Sequence, residues 1–163
     1  MPCGSASGIR NHAAHDGADQ LTFEAILQEL LDRTGATRTT LRLDLPVLGF
    51  QIDDVAAEAL APGIRSLRGD TSIDQRAAAS AQFLERERRL LVQPDCLNTE
   101  AAPPPELIRL YGVRAQMLGP VIRSGELTGW ISVHDTRDAR EWRAADIAAL
   151  EEAIARVLWR LDG

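Results

Sequence analysis

The side chains able to do chemistry are few and far apart. His134 is the only histidine outside the N-terminal stretch, which holds His12 and His15. The thiols are Cys3 and Cys96, too few for a disulfide scaffold and suited to a reducing compartment. Cys96 follows Pro94-Asp95 in an expected loop. A thiol-dependent redox enzyme through Cys96 is one reading, but no second cysteine lies near it in sequence to resolve an oxidised sulfur. A small buried hydrophobe is the plainer reading. The sequence has no metal-ligand spacing, no Ser-His-Asp arrangement, no P-loop and no dinucleotide glycine pattern. The chemistry on offer points to binding rather than turnover, and no catalytic residue or metal is expected.

His134 closes the most informative block, Pro104 to His134. Pro104 or Pro105 suits the first turn of a helix over Glu106–Tyr111. Two strand-like runs follow, Val113–Ile122 and Glu126–Asp135, joined through Arg123-Ser124-Gly125. A three-residue loop with glycine third fits a type I turn followed by a left-handed bulge residue. That choice sets Ile122 against Glu126, Leu118 against Trp130 and Gln116 against Ser132. Gln116, Leu118 and Pro120 then share a face with Thr128, Trp130 and Ser132, and His134 follows on that side. Met117, Val121, Leu127, Ile131 and Val133 take the other face. Both faces are largely apolar, so the hairpin is expected at the centre of a sheet covered on both sides. His134 is a hydrogen-bonding contact, a titrating switch or a backbone-bonded strand end. Trp130 is core or stacking platform, and Tyr111 sends its hydroxyl into a cavity or packs on the hairpin.

The elements that must hold this block read as follows. Residues 1–19 have no period and are expected to be a disordered tail, leaving 20–163 as one domain. Phe23, Ile26, Leu27, Leu30 and Leu31 recur at helical spacing over Leu21–Thr34, and Gly35 stops the helix. Thr37–Leu45 alternates as a strand, and Val47–Ile52 is a possible second. A short helix near Asp54–Leu60 and a brief strand near Ile73 are options in the least readable stretch. Arg76–Arg89 is rich in helix formers, Leu90–Gln93 is a short strand, and Asn98–Pro105 is a loop. The last helix runs from after Trp142 to about Leu161, with Ile147, Leu150, Ile154, Val157 and Leu161 in heptad-like steps. Trp159 lies off that stripe, as an oligomer contact, a lid over the first helix or leftover exposure.

This order, together with Tyr111-Gly112-Val113-Arg114-Ala115, Gly125-Glu126-Leu127-Thr128-Gly129-Trp130-Ile131 and then His134, resembles a GAF domain, and the GAF domain of phytochromes especially. Arg140-Glu141-Trp142 followed by Asp146 resembles the step that opens the last GAF helix, with Arg143 where a serine or threonine cap is common. The likeness is sharp over 104–160 and topological before that. It implies an α/β fold (α+β in detail) with a central antiparallel sheet of five or six strands. The N- and C-terminal helices would cover one face, and ligand-side helices and loops the other. It implies that Gln116, Leu118, Trp130, Ser132 and His134 line a cavity, with Tyr111 at its edge. The cysteine that anchors bilin in plant-type members has no counterpart among the prolines before Tyr111, and Cys96 stands too early. Lysine is absent, which removes the Asn-Lys motif of cyclic-nucleotide GAF domains.

The totals agree. Hydrophobic content of 45% with 26% charge is ordinary for a globular protein of 163 residues. The net charge of −6 argues against a nucleic-acid partner. All 18 basic residues are arginine, which fits codon bias. No apolar run reaches membrane-spanning length and no signal-peptide core is visible, so the cytoplasm is expected. The sequence thus suggests a non-catalytic sensory or regulatory module that binds an unidentified small organic ligand. A homodimer would form through the first and last helices, including Trp159. The competing reading is an interaction or dimerisation module whose cavity is filled by its own side chains.

Overall fold

The computed structural model describes the backbone of residues 12–163 and the side chains of residues 22–163. Among these residues four helices and five strands build an α+β fold: α1 (His12–Thr34), β1 (Arg38–Leu43), β2 (Ala57–Leu60), α2 (Ala79–Glu87), β3 (Leu91–Gln93), α3 (Pro105–Arg109), β4 (Ala115–Arg123), β5 (Glu126–Asp135) and α4 (Ala144–Asp162). The strands form one sheet in the order β2-β1-β5-β4-β3, with every neighbouring pair antiparallel. Helix α1 begins at His12 rather than Leu21, and the rest of the expected tail, residues 1–11, lies outside the described residues. Gly35, at φ +63°, stops the helix as its spacing predicts.

Helices α1 and α4 lie side by side on one face. Phe23, Leu27 and Leu30 of α1 and Leu150, Ala153 and Val157 of α4 close on Leu41, Leu43, Met117, Val121, Ile131 and Val133 in one buried cluster. Ile147, Ile154 and Leu161 are half-buried against it, so the heptad-like stripe faces the sheet and α1. Asp146, fully buried at the third position of α4, accepts a bond from the Arg143 backbone N–H at 2.9 Å and bonds from the Arg143 and Arg140 guanidinium groups. It thus satisfies the helix start that Arg143 leaves without a hydroxyl cap. Helix α2, α3 and the long connections cover the opposite face.

Three local readings change. The Val47–Ile52 segment is not a strand: Pro46 opens a single 3-10 turn that Gly49 closes at φ +81°, and one bridge, Leu45 to Phe50, remains. The helix near Asp54–Leu60 is instead β2, which pairs with β1 from Arg38–Leu60 to Leu41–Ala57. Pairing and burial there override the helix propensity of Ala, Glu and Leu. Ile73 is buried but lies in an irregular segment between β2 and α2.

The central hairpin closes through two residues, not three. Ser124 (φ +51°) and Gly125 (φ +79°) both occupy the left-handed region, as a type I′ turn requires. An irregularity between Val121 and Ile122 shifts the pairing, so Leu118 faces Ser132, Pro120 faces Trp130 and Gln116 faces His134. The slip from the expected pairing is two residues, and because strand side chains alternate with period two, the faces survive it. Leu127 is the exception: beyond the bulge it joins Leu118 and Trp130 on the side opposite α1 and α4.

Candidate functional site

Under β1, β5 and β4, on the face away from α1 and α4, lies a small cavity of about 10 Å³, room for roughly one water. Gln116, Leu118, Trp130, Ser132 and His134 line it. Tyr111 does not. It packs with Leu67, Cys96, Leu107 and Val113 beside the cavity, and its hydroxyl donates to Asp70. Sequence reasoning missed part of the wall: Thr40 and Arg42 of β1, with Leu67, Gln75, Ser80, Pro104 and Leu107 from the covering segments. The signal for β1 was present. Arg38, Thr40 and Arg42 occupy one phase of an alternating strand and pair with His134, Ser132 and Trp130. All of β1 is nevertheless buried, so this polar phase faces protein.

The two strand arginines play different parts. Arg38 is fully buried and spends its donors on the protein: Nη2 to Arg65 O at 2.7 Å and to Tyr111 O at 3.3 Å, Nε to Arg65 O at 3.2 Å. Its Nη1 lies 3.2 Å from His134 Nδ1. A guanidinium can only donate, so Nδ1 is the acceptor and the ring hydrogen sits on Nε2. Burial, then the charges of Arg38 and Arg42, push the His134 pKa well below 6.5. His134 is therefore a neutral N–H donor at physiological pH and not a switch there. Arg42, 3% exposed, donates from Nη1 to Ile52 O at 3.1 Å. Burial lowers its pKa to about 10, which leaves it charged near neutrality.

The wall is braced from behind. Gln116 Nε2 donates to Gln93 Oε1 at 2.7 Å, and Gln93 Nε2 donates to Glu100 O and Ala101 O at 2.8 and 3.0 Å. This relay pins the Asn98–Pro105 loop to β3 and β4. A second cover, residues 61–78, is tied by side chains: Leu67 N and Gly69 N donate to Glu58 Oε2 and Asp54 Oδ1, and Gln75 N to Asp53 Oδ1. Arg65 donates to Leu110 O at 3.2 Å and lies over the Tyr111 ring at 4.7 Å. Hydrogen bonds from Ser72 and Tyr111 hold the Asp70 carboxyl down to about 2. Gln75, 4% exposed, contributes the cavity's loose end, because its Nε2 has no hydrogen-bond partner among the described residues.

Cys96 is 3% exposed, and burial followed by the Asp95 charge pushes its thiol up to about 12. It lies outside the cavity wall, and the nearby Arg114 charge does not offset its burial, so the thiol is not poised as a thiolate. Among the described residues no cluster of His, Cys, Asp or Glu could hold a metal ion, and no helix is long and apolar enough to cross a membrane.

The sheet order, the two-helix backing and the cavity under the hairpin define a GAF-type α+β domain. The chain belongs to the GAF domain family, whose model matches residues 20–160. Its fold is shared by the blue-light-absorbing form of the Thermosynechococcus elongatus PixJ GAF domain, at 21% identity, a TM-score of 0.69, and 94% and 91% of the two chains covered. A far-red-absorbing dark-state domain with bound biliverdin IXa is similar over 93% of this chain and 97% of its own, at 16% identity and a TM-score of 0.66. The chromophore-binding domain of Stigmatella aurantiaca bacteriophytochrome matches at 19% identity and a TM-score of 0.63, covering 98% of this chain and 64% of its own. No curated protein matches the chain in sequence.

Proposed function

We propose that this GAF domain is a cytoplasmic sensory or regulatory module, without catalysis of its own, that binds a small organic ligand in the cavity under β1, β5 and β4. One observation carries the reading: the wall is polar where burial is complete, and Gln75 Nε2 is left without a partner. A space filled only for packing is better lined by apolar groups, since buried polar atoms cost stability unless paired. Gln116, Leu118, Trp130, Ser132 and His134 are the proposed contacts, with Tyr111 acting from behind through the cover. A domain of the same fold with bound biliverdin IXa supports ligand binding by a domain of this kind. The cavity is about 10 Å³, and among the described residues no thiol lines it for covalent attachment of a bilin, since Cys96 is buried in the neighbouring cluster.

The same small volume favours a second reading, a dimerisation module with a self-filled cavity. Trp159 is 76% exposed on α4, beside a groove of about 330 Å³ that Ile26 and Ala155 also line. A homodimer through α1 and α4 is part of both readings. Native mass spectrometry of protein purified from its own host separates them. The binding reading expects a retained small mass that is released on denaturation. Bare protein, with no thermal shift in a metabolite screen, refutes it and leaves the dimer mass as the remaining signal.

A further inference from the structure

The polar groups of the cavity lean one way. Arg42, Gln75 Nε2 and the His134 Nε2–H offer hydrogens, Thr40, Ser80 and Ser132 add hydroxyls, and among the described residues no acid lines it. Among the described residues no carboxylate comes within ion-pairing distance of Arg42, although most other arginines have such a partner. Asp53, Asp54, Glu58 and Asp70 act on it from farther off, with oxygens engaged by the backbone and hydroxyls of the 61–78 cover. A buried guanidinium without a counter-ion is costly to keep. Arg38, by contrast, is fully used in holding Arg65, Tyr111 and His134.

We propose that the ligand is a small monocarboxylate, its two oxygens on the Arg42 guanidinium and its rim capped by the Gln75 amide. This rests on the binding reading above and deepens it. The flat fork of an arginine matches a carboxylate with two parallel hydrogen bonds. One available cation suits one negative charge, which disfavours a phosphate dianion. The cavity has room for about one water, so a carboxylate enters by displacing the cover that carries Leu67 and Gln75, and the displacement grows with its size.

The test titrates the full chain with sodium formate, acetate, propionate and butyrate, against formamide, acetamide, propionamide and butyramide and against sodium chloride at matched ionic strength. Side-chain ¹⁵N shifts of Arg42 and Gln75 are followed together with the thermal midpoint. The expected result is a saturable response to at least one carboxylate and none to its amide. Binding weakens about tenfold or more in Arg42→Met, as for loss of a charged hydrogen-bonded pair, and less in Gln75→Leu. Equal response to acid and amide overturns the proposal, as does unweakened binding in Arg42→Met. If circular dichroism shows that Arg42→Met does not fold, Gln75→Leu decides alone, and unchanged affinity overturns the proposal. Retention of a neutral host molecule indifferent to all four acids sinks the carboxylate while the binding module stands. Silence from acids, amides and metabolites alike sinks both.

Discussion

The two faces of the central sheet are equally dry and differently made. On β1, Leu41 and Leu43 point into the α1–α4 cluster, while Arg38, Thr40 and Arg42 point the other way, and all are buried. On β5, Ile131 and Val133 oppose Trp130, Ser132 and His134 in the same manner. The helix side holds by apolar packing, whose strength grows with area removed from water. The cavity side has two smaller apolar clusters and adds hydrogen bonds that roughly replace those lost to water. The difference teaches that burial alone does not mark a stabilising residue: one face supplies stability and the other spends some of it on positioned donors.

The largest expected effect is at Leu41, on the helix side. Leu41→Ala should cost about 2–5 kcal/mol in urea unfolding; a loss under about 1 kcal/mol would erase the distinction between the faces. Next in size is Gly129→Ala, expected to cost about 1–3 kcal/mol as an overpacked site. A Cβ there would stand 2.0 Å from the Arg42 carbonyl oxygen, and backbone cannot swing aside as a side-chain tip does. Its ¹⁵N spectrum should also show the Arg42 guanidinium displaced, which ties strand spacing to the cavity wall.

His134 gives the fold a pH dependence. The folded pKa of His134 lies well below its ordinary 6.5. Above about 6.5 both folded and unfolded chains hold the ring neutral, and it costs nothing. Below that value the unfolded chain takes up a proton that the folded chain does not. Stability therefore falls with falling pH, by at most about 1.4 kcal/mol per unit, until the folded pKa is reached. His134→Gln should flatten this slope between about pH 6.5 and 5, while His12 and His15 remain in both proteins; an unchanged slope would mean that the ring is not held neutral. The smallest effect expected is Arg42→Met: folding stability within about 1 kcal/mol of the parent, or higher, since an apolar side chain replaces a buried charge that has carboxylates only at longer range. A large loss would place Arg42 among the structural residues with Arg38.

The fold was legible where pattern and pairing agree. The stripe from Ile147 to Leu161, the glycine after Thr34 and the alternation of β4 and β5 each follow from a local period. The segment Asp54–Leu60 misleads because its composition is helical and only its partner β1 makes it a strand. The hairpin was read with the wrong turn, yet its faces came out right for Trp130, Ser132 and His134 because the slip was even. Leu127 was misplaced because a bulge leaves no trace in residue type. Arg42 and Gln75 were missed for a different reason: the alternation of β1 marks Arg42 as part of a polar phase, but it does not say that β1 sits beside β5, and nothing in the sequence signals that an irregular loop dips an amide into the cavity.

That loop has a kinetic consequence. Residues 61–78 are fastened by carboxylates of Asp53, Asp54, Glu58 and Asp70 rather than by a strand ladder. Segments held this way open in local excursions whose free energy lies below that of global unfolding. Amide hydrogens of Leu67, Gly69 and Gln75 should exchange with solvent well before those of β4 and β5. Molecules can then enter and leave the cavity on the clock of the loop while the sheet stays shut.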